Sequence, residues 1–340
     1  MHFVASLTWN ASEIRQVSRL WEESSDPRNP FAHVLISPLF ATPSTLRAVR
    51  EIQERWNSVI YFDSGGYYVQ QGRITYPDLC DRLRAYYQQP ANHWATYYVL
   101  PDYVPTSTDK VNEVEQKVLE TCTVAKQFFH SLPTALQERA MPVIQGHTAR
   151  QVYQCIDTYH QLGVDRVGFG SFGTSGSTKS INTVNDTSYK MLTHVRDLTA
   201  HLGMHVHLFG IGTPPILYFF QQMGFDSFDS MSWARAAGFG NAFLPFMKGF
   251  MVSQTSQAMF RSSLDREDFE RLKVITDHQC PFCDDFVQLS NNRLYRIVHN
   301  LACILDTIDY MQMWGQERIL ETIRIASPRY MRYYREWIAP

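Results

Sequence analysis

Eight short β-rich runs punctuate the first 235 residues, and helix-type segments separate them. The runs are "MHFVASLTW" from 1, "AHVLISPLF" from 32, "SVIYFDSGG" from 58 and "HWATYYVLPD" from 93. They continue as "AMPVIQG" from 140, "RVGFGSFG" from 166, "HVHLFGIG" from 205 and "GFDSFDSMSW" from 224. Helix-type stretches such as 42–56, 109–132 and 147–163 fall between them. Alternating β and α segments demand a mainly parallel sheet with right-handed crossovers. Eight strands, seven of them followed by a helical segment before the next, predict an α/β fold of the TIM-like (β/α)8 barrel type. A doubly wound open sheet is the competing arrangement, and no G-x-G-x-x-G opens an early helix to support it.

Polar residues and glycines collect where these runs end: Asp63, Asp102, Gln145 with Gly146, Gly168 with Gly170, Gly210 with Gly212, and Asp229. Turns alone produce Gly and Asp at such places. In a barrel, however, all C-terminal strand ends converge on one mouth, where catalytic groups sit. Six such ends, three carrying carboxylates, predict a shared pocket with Asp63 on its rim. The polar stretch 173–188, with Lys179, would lie at that mouth as a surface loop or a lid.

The six cysteines do not make a disulfide framework. Cys80, Cys122 and Cys155 stand alone and read as small core residues or idle thiols. Cys280 and Cys283 form a C-x-x-C flanked by His278, with His299 sixteen residues on. Soft and borderline ligands at such spacing suit a closed tetrahedral Zn2+ site with a structural role, because four protein ligands leave no open position. A redox-active C-x-x-C is the other reading, and no thioredoxin-like setting surrounds it. Cys303 lies one helical turn beyond His299 and competes with His278 as the fourth ligand. The expected division is a barrel core over 1–235, a zinc-binding subdomain over 236–300, and C-terminal helices over 301–340 that close the barrel.

A net charge of −2 withholds any global basic field, so contact with a polyanion must come from a local patch. One candidate is Arg329, Arg332 and Arg335 at i, i+3 spacing, interleaved with Tyr330, Tyr333, Tyr334 and Trp337. Such a stripe serves equally as a helix packing its aromatics on the barrel or as a phosphate-binding face. No run of 18 apolar residues exists, and Met1-His2-Phe3 leads into a strand-like segment. The expectation is a cytoplasmic protein without membrane contact.

In order along the chain, "DSGGY" (63–67), "VIQG" (143–146), "HLFGIGTP" (207–214), "FDS" (228–230), and "HQCPFC" (278–283) with His299 resemble the tRNA-guanine transglycosylase superfamily. The resemblance extends from roughly 58 to 305, and it is the order and spacing of the pieces that carry it. It implies Asp229 as nucleophile and Asp63 as general acid/base. It implies Asp102, Gln145 and Gly170 as readers of a guanine-like base, Phe209 and Gly210 as pocket wall, and Arg235 beside the polynucleotide backbone. The chemistry agrees: a carboxylate can capture the oxocarbenium-like C1′ covalently, and a 7-deazaguanine then displaces it with overall retention. Asp102 can accept from N1–H and N2–H2, and the Gln145 amide with the Gly170 N–H can donate to O6. The target nucleotide would have to be flipped out of its stack. Asp226, three residues before Asp229, points to the other face.

His278 stands where the family has a first cysteine, the stretch to His299 is short, and "LPDYVP" lacks the usual acidic neighbour of Asp102. These departures favour the branch that acts on DNA, with tRNA as the alternative polymer. A non-catalytic partner subunit, in a homodimer or with accessory proteins, would be expected to lose Asp63 or Asp229, and both are present. A hydrolase releasing free base remains the other enzyme option.

Overall fold

The eight runs form eight strands: one (His2–Ser6), two (His33–Ile36), three (Val59–Phe62), four (Tyr97–Val99), five (Ala140–Met141 and Val143–Ile144), six (Arg166–Phe169), seven (His205–Leu208) and eight (Ser227–Ser230). The computed structural model describes residues 1–175, 181–253 and 264–338. Strand five is broken at Pro142, which has no N–H for the ladder. Its first half pairs with strand four and its second half with strand six. Strand one pairs with strand eight, Val4 opposite Asp229, and this contact closes the ring. All neighbours in the ring are parallel. The fold is therefore the (β/α)8 barrel, and the open sheet is set aside.

Strand periodicity sorts the side chains into two layers. Val4, Leu35, Tyr61, Val99, Met141 and Val143 form one buried cluster inside the ring. Their neighbours Phe3, Ala5, Val34, Ile36, Ile60 and Phe62 join the larger core shared with the helices. The helices start where capping chemistry allows. Thr42 accepts from the Thr45 N–H ahead of Pro43–Trp56, and Thr148 makes a capping box with Gln151 ahead of Ala149–Gln161.

Beyond strand eight come a short helix (Ser232–Gly238), a hairpin (Asn241–Leu244 with Met247–Met251) and helices Arg266–Thr276, Phe286–Asn291, Arg293–Met313 and Gln316–Ala326. Buried Asn300 ties these pieces together. Its amide nitrogen donates to Trp233 O at 2.8 Å and its oxygen accepts from Phe243 N at 2.7 Å. Helix Arg293–Met313 runs through position 300 and so joins the cysteine–histidine cluster to the closing helices.

The C-terminal stripe does not form one regular helix. Pro328–Tyr330, Met331–Tyr333 and Tyr334–Ile338 are three short turns of different pitch. Tyr333 is buried against Phe219 and Tyr189. Arg332 lies over the Tyr333 ring and donates to Val184 O, whereas Arg329 and Arg335 are exposed. The Trp337 side chain and Lys179 lie outside the described residues. Among the described residues, no helix is long and apolar enough to cross a membrane.

Candidate active site and metal centre

Three carboxylates stand at or just past the C-terminal ends of strands three, four and eight. Asp63 continues the ladder of strand three, its N–H donating to Ile36 O at 2.9 Å. Its Oδ2 accepts from Ser37 Oγ at 2.5 Å and from the Gly65 N–H at 3.2 Å. Burial raises the Asp63 carboxyl to about 7; the charges of Asp102 and Asp229 add to the rise, and the Ser37 hydroxyl opposes it.

Asp229 is almost fully buried, and Ser6 and the Gly210 N–H present it with hydrogen. Ser6 Oγ lies 2.5 Å from Oδ2, and the Gly210 N–H donates to Oδ1 at 2.7 Å. His207 Nε2 stands 3.3 Å from the same Oδ1, with its Nδ1 at 2.9 Å from Ser227 Oγ. These contacts hold the carboxylate in one rotamer. Asp226 sits at the opposite end of strand eight, where it accepts from the Val206 N–H at 2.7 Å and lies 3.0 Å from His205 Nδ1.

Buried Asp102 and Gln145 come together with half-buried Gly170, but the Gly170 N–H expected to donate to a base is taken by Ile144 O at 3.2 Å in the strand ladder. Gln145 Nε2 donates to Asp102 Oδ2 at 2.7 Å, and Ser64 Oγ donates to Oδ1 at 2.7 Å. Burial raises the Asp102 carboxyl, against the hydrogen bonds from Ser64 and Gln145. Two glycines are required by close approach. A Cβ on Gly66 would lie 2.8 Å from Asp102 Oδ1, and one on Gly170 would lie 2.7 Å from Gln145 Nε2. Phe209 turns into the barrel, edge-on to His207, and rests against Gly168, so of the Phe209–Gly210 pair it is Gly210 that touches Asp229. The ribbon Gly173–Ser175 with Ile181–Thr183 folds over this pair, Asn182 Nδ2 reaching Phe209 O at 3.5 Å. Arg235 is half-buried on helix Ser232–Gly238, directly after strand eight.

Four polar residues of this site were not among the sequence candidates: Ser6, Ser37, Ser171 and His207. Ser6 closes strand one and Ser37 follows strand two, so the strand-end rule would have found both had it been extended to hydroxyls. His207 opens the stretch "HLFGIGTP" but has no assigned role there; its contacts depend on pairing opposite Ser227 in the neighbouring strand.

The second cluster lies beyond the barrel. Ligand atoms of His278, Cys280, Cys283 and His299 all fall within 4.8 Å of one another, and all four residues are buried. Cys280 Sγ is 3.4 Å from Cys283 Sγ and 3.3 Å from His299 Nδ1. The two imidazoles are oriented from behind. His278 Nδ1 is 2.5 Å from Asp306 Oδ2, which turns Nε2 inward, and His299 Nε2 is 2.9 Å from Phe243 O. Arg28 holds Asp306 in turn at 2.5 Å. Outer partners of this kind fix tautomer and ring direction in metal-binding histidines. Cys303 stands 3.5 Å from Nε2 of both histidines and donates to Phe243 O at 3.2 Å. The buried quartet can hold a metal ion, and two sulfurs with two imidazole nitrogens fit structural zinc.

A family model described as queuine tRNA-ribosyltransferase matches residues 96–337. No curated protein matches the chain. The match begins downstream of Asp63 and takes in Asp102, Gln145, Gly170, Phe209, Gly210, Asp229, Arg235 and the whole cysteine–histidine quartet. It covers well over half of the chain and meets a closed barrel whose mouth gathers the polar strand ends. The chain belongs to the queuine tRNA-ribosyltransferase family, glycosyltransferases that exchange guanine in nucleic acid.

Proposed function

We propose that this protein exchanges guanine for a 7-deazaguanine base in nucleic acid through a covalent glycosyl-enzyme, with Asp229 as nucleophile and Asp63 as general acid/base. One observation carries the reading: two carboxylates in one mouth have different surroundings. Asp229 accepts from Ser6 Oγ and the Gly210 N–H and lies beside His207, whereas Asp63 is raised to about 7. Opposed environments of this kind divide nucleophile from acid/base. Asp229 Oδ forms the bond to C1′ as the C1′–N9 bond breaks, and Asp63 gives the departing guanine its proton. The incoming deazaguanine then gives its N9 proton to Asp63, attacks C1′ from the other side and releases Asp229. Asp102 and Gln145 read the base edge, Gly210 and Phe209 close the pocket behind Asp229, and Arg235 meets the sugar-phosphate backbone. The quartet His278, Cys280, Cys283 and His299 holds zinc in a structural role.

The proton inventory gives a pH prediction. Below about 7 Asp63 is protonated and can donate; above it Asp63 is ionised and can accept. Guanine release with covalent capture should therefore fall as pH rises through about 7, and attachment of the incoming base should fall as pH drops below it. Asp63→Asn should remove both limbs and slow each half-reaction by about 10²–10⁴-fold. Stability carries the same sign: between the unfolded value of 3.8 and about 7 the native state keeps a proton the unfolded chain has lost, so this contribution disappears as pH approaches 7. Single-turnover rates between pH 5.5 and 8.5, on the order of one unit to either side of neutrality, check it; limbs that persist in Asp63→Asn reject the role.

DNA is the polymer in this reading, supported by His278 in place of a cysteine and by the shortened stretch to His299. The family description, which names tRNA, supports the second reading. Labelled guanine incubated with protein and either duplex DNA or tRNA should enter DNA, with tRNA a poor substrate. Incorporation into tRNA and into no DNA sequence tested would reverse the choice of polymer and leave Asp63 and Asp229 in place.

A further inference from the structure

We propose that Ser171 is a positioning residue that sets the direction of the Gln145 amide, and so makes the base pocket select a 6-oxo over a 6-amino purine. The inference rests on the guanine-exchange reading and deepens it. An amide offers an oxygen acceptor and an NH2 donor of nearly the same shape, so a buried glutamine reads a base only if something decides which end faces it.

The hydrogens around Gln145 can be counted one by one. The Gly146 N–H donates to Ser171 Oγ at 2.7 Å. A backbone N–H can only donate, so the one hydroxyl proton of Ser171 is left for Gln145 Oε1, 2.5 Å away. That bond turns Oε1 toward strand six and leaves Nε2 on the opposite side, where Asp102 Oδ2 accepts at 2.7 Å. The other oxygen of Asp102 is treated in the same way: the Gly66 N–H donates to Ser64 Oγ at 3.2 Å, and Ser64 donates to Oδ1 at 2.7 Å. Two backbone N–H groups, acting through two serines, thus send the Ser64 proton to Asp102 and the Ser171 proton to Gln145 Oε1, whose NH2 then faces Asp102.

A flipped Gln145 would set Oε1 against Asp102, acceptor against acceptor, and would leave the Ser171 proton without its partner. Both residues are fully or almost fully buried, so an unpaired group costs more than the bond itself contributes. Gly170 leaves the amide nitrogen its place, since a Cβ there would lie 2.7 Å from Nε2. The wall therefore presents NH2, which a 6-oxo group accepts and a 6-amino group repels. Losing the Ser171 hydroxyl would remove one of the two contacts that set the direction, without touching the base.

Competitive binding of guanine and 2,6-diaminopurine to the full-length protein tests this. Wild type should prefer guanine. Ser171→Ala should weaken guanine about tenfold while leaving diaminopurine unchanged or tighter, and Ser171→Thr, which keeps the hydroxyl, should restore the preference. A merely structural serine would weaken both bases together. Ser171→Cys, of similar size but with a weakly donating thiol, should fall between and serves if the alanine variant does not fold. A wild-type preference ratio in Ser171→Ala, or in Ser171→Cys when the alanine variant is unfolded, overturns the inference while guanine exchange stands. Wild-type protein that binds neither base overturns the exchange reading, and this inference with it.

Discussion

Asp229→Asn should abolish base exchange and eliminate any covalent adduct between protein and nucleic acid, while the barrel stays folded. The amide is isosteric with the carboxylate, so Ser6 and the Gly210 N–H keep a partner and packing is conserved. What disappears is the anion that captures C1′. Losses for a removed covalent nucleophile run to about 10⁴-fold or beyond, which puts exchange below detection in an ordinary assay. The measurement is a denaturing gel of protein with labelled polymer, trapped with and without a deazaguanine, alongside circular dichroism. An adduct of wild-type yield in Asp229→Asn would move the nucleophile elsewhere. Asp226 is not the substitute, because it faces the other end of the barrel and holds the Val206 N–H.

Zinc removal should produce the second large effect. The protein as purified should carry about one zinc per chain, and a strong chelator should unfold the segment around 278–305 before the barrel. The order follows from what each part rests on. The barrel has its own parallel ladder and a buried cluster inside it. The segment 278–305 shares the outer core and places four buried polar ligands within it, which a bound cation would tie together. Hydrogen exchange during chelation reads the order directly. A Cys280→Ala, Cys283→Ala double variant should lose the metal. Full zinc content in that variant, or simultaneous loss of barrel and segment on chelation, would remove the site from its structural role.

Fold class was legible because it is written in local pattern. Eight β-rich runs interrupted by capped amphipathic segments have few closed solutions, and the helices expected over 42–56, 109–132 and 147–163 lie over Pro43–Trp56, Val111–Ser131 and Ala149–Gln161. The C-terminal stripe went the other way. Its i, i+3 arginines suggested one helix, but Pro328–Tyr330, Met331–Tyr333 and Tyr334–Ile338 follow three different pitches while Tyr333 is buried. Periodicity reports a preference for helix, and the surface it packs on decides whether that preference is met.

By itself the sequence determined the parallel barrel, the convergence of Asp63, Asp102 and Asp229 on one mouth, and three donors of the metal quartet, with His278 and Cys303 competing for the fourth place. Each of these follows from residue type, order and spacing, which the chain carries however it folds. Only the tertiary structure decided what surrounds those groups. Ser6 meets Asp229 across 223 positions because strand one closes on strand eight, and Ser171 meets Gln145 because strand five borders strand six. Asp306, held by Arg28, stands behind His278 for the same reason. The charge state of a carboxylate and the direction of an amide depend on which hydrogens lie within about 3 Å. Those neighbours come from distant parts of the chain, and no local pattern names them.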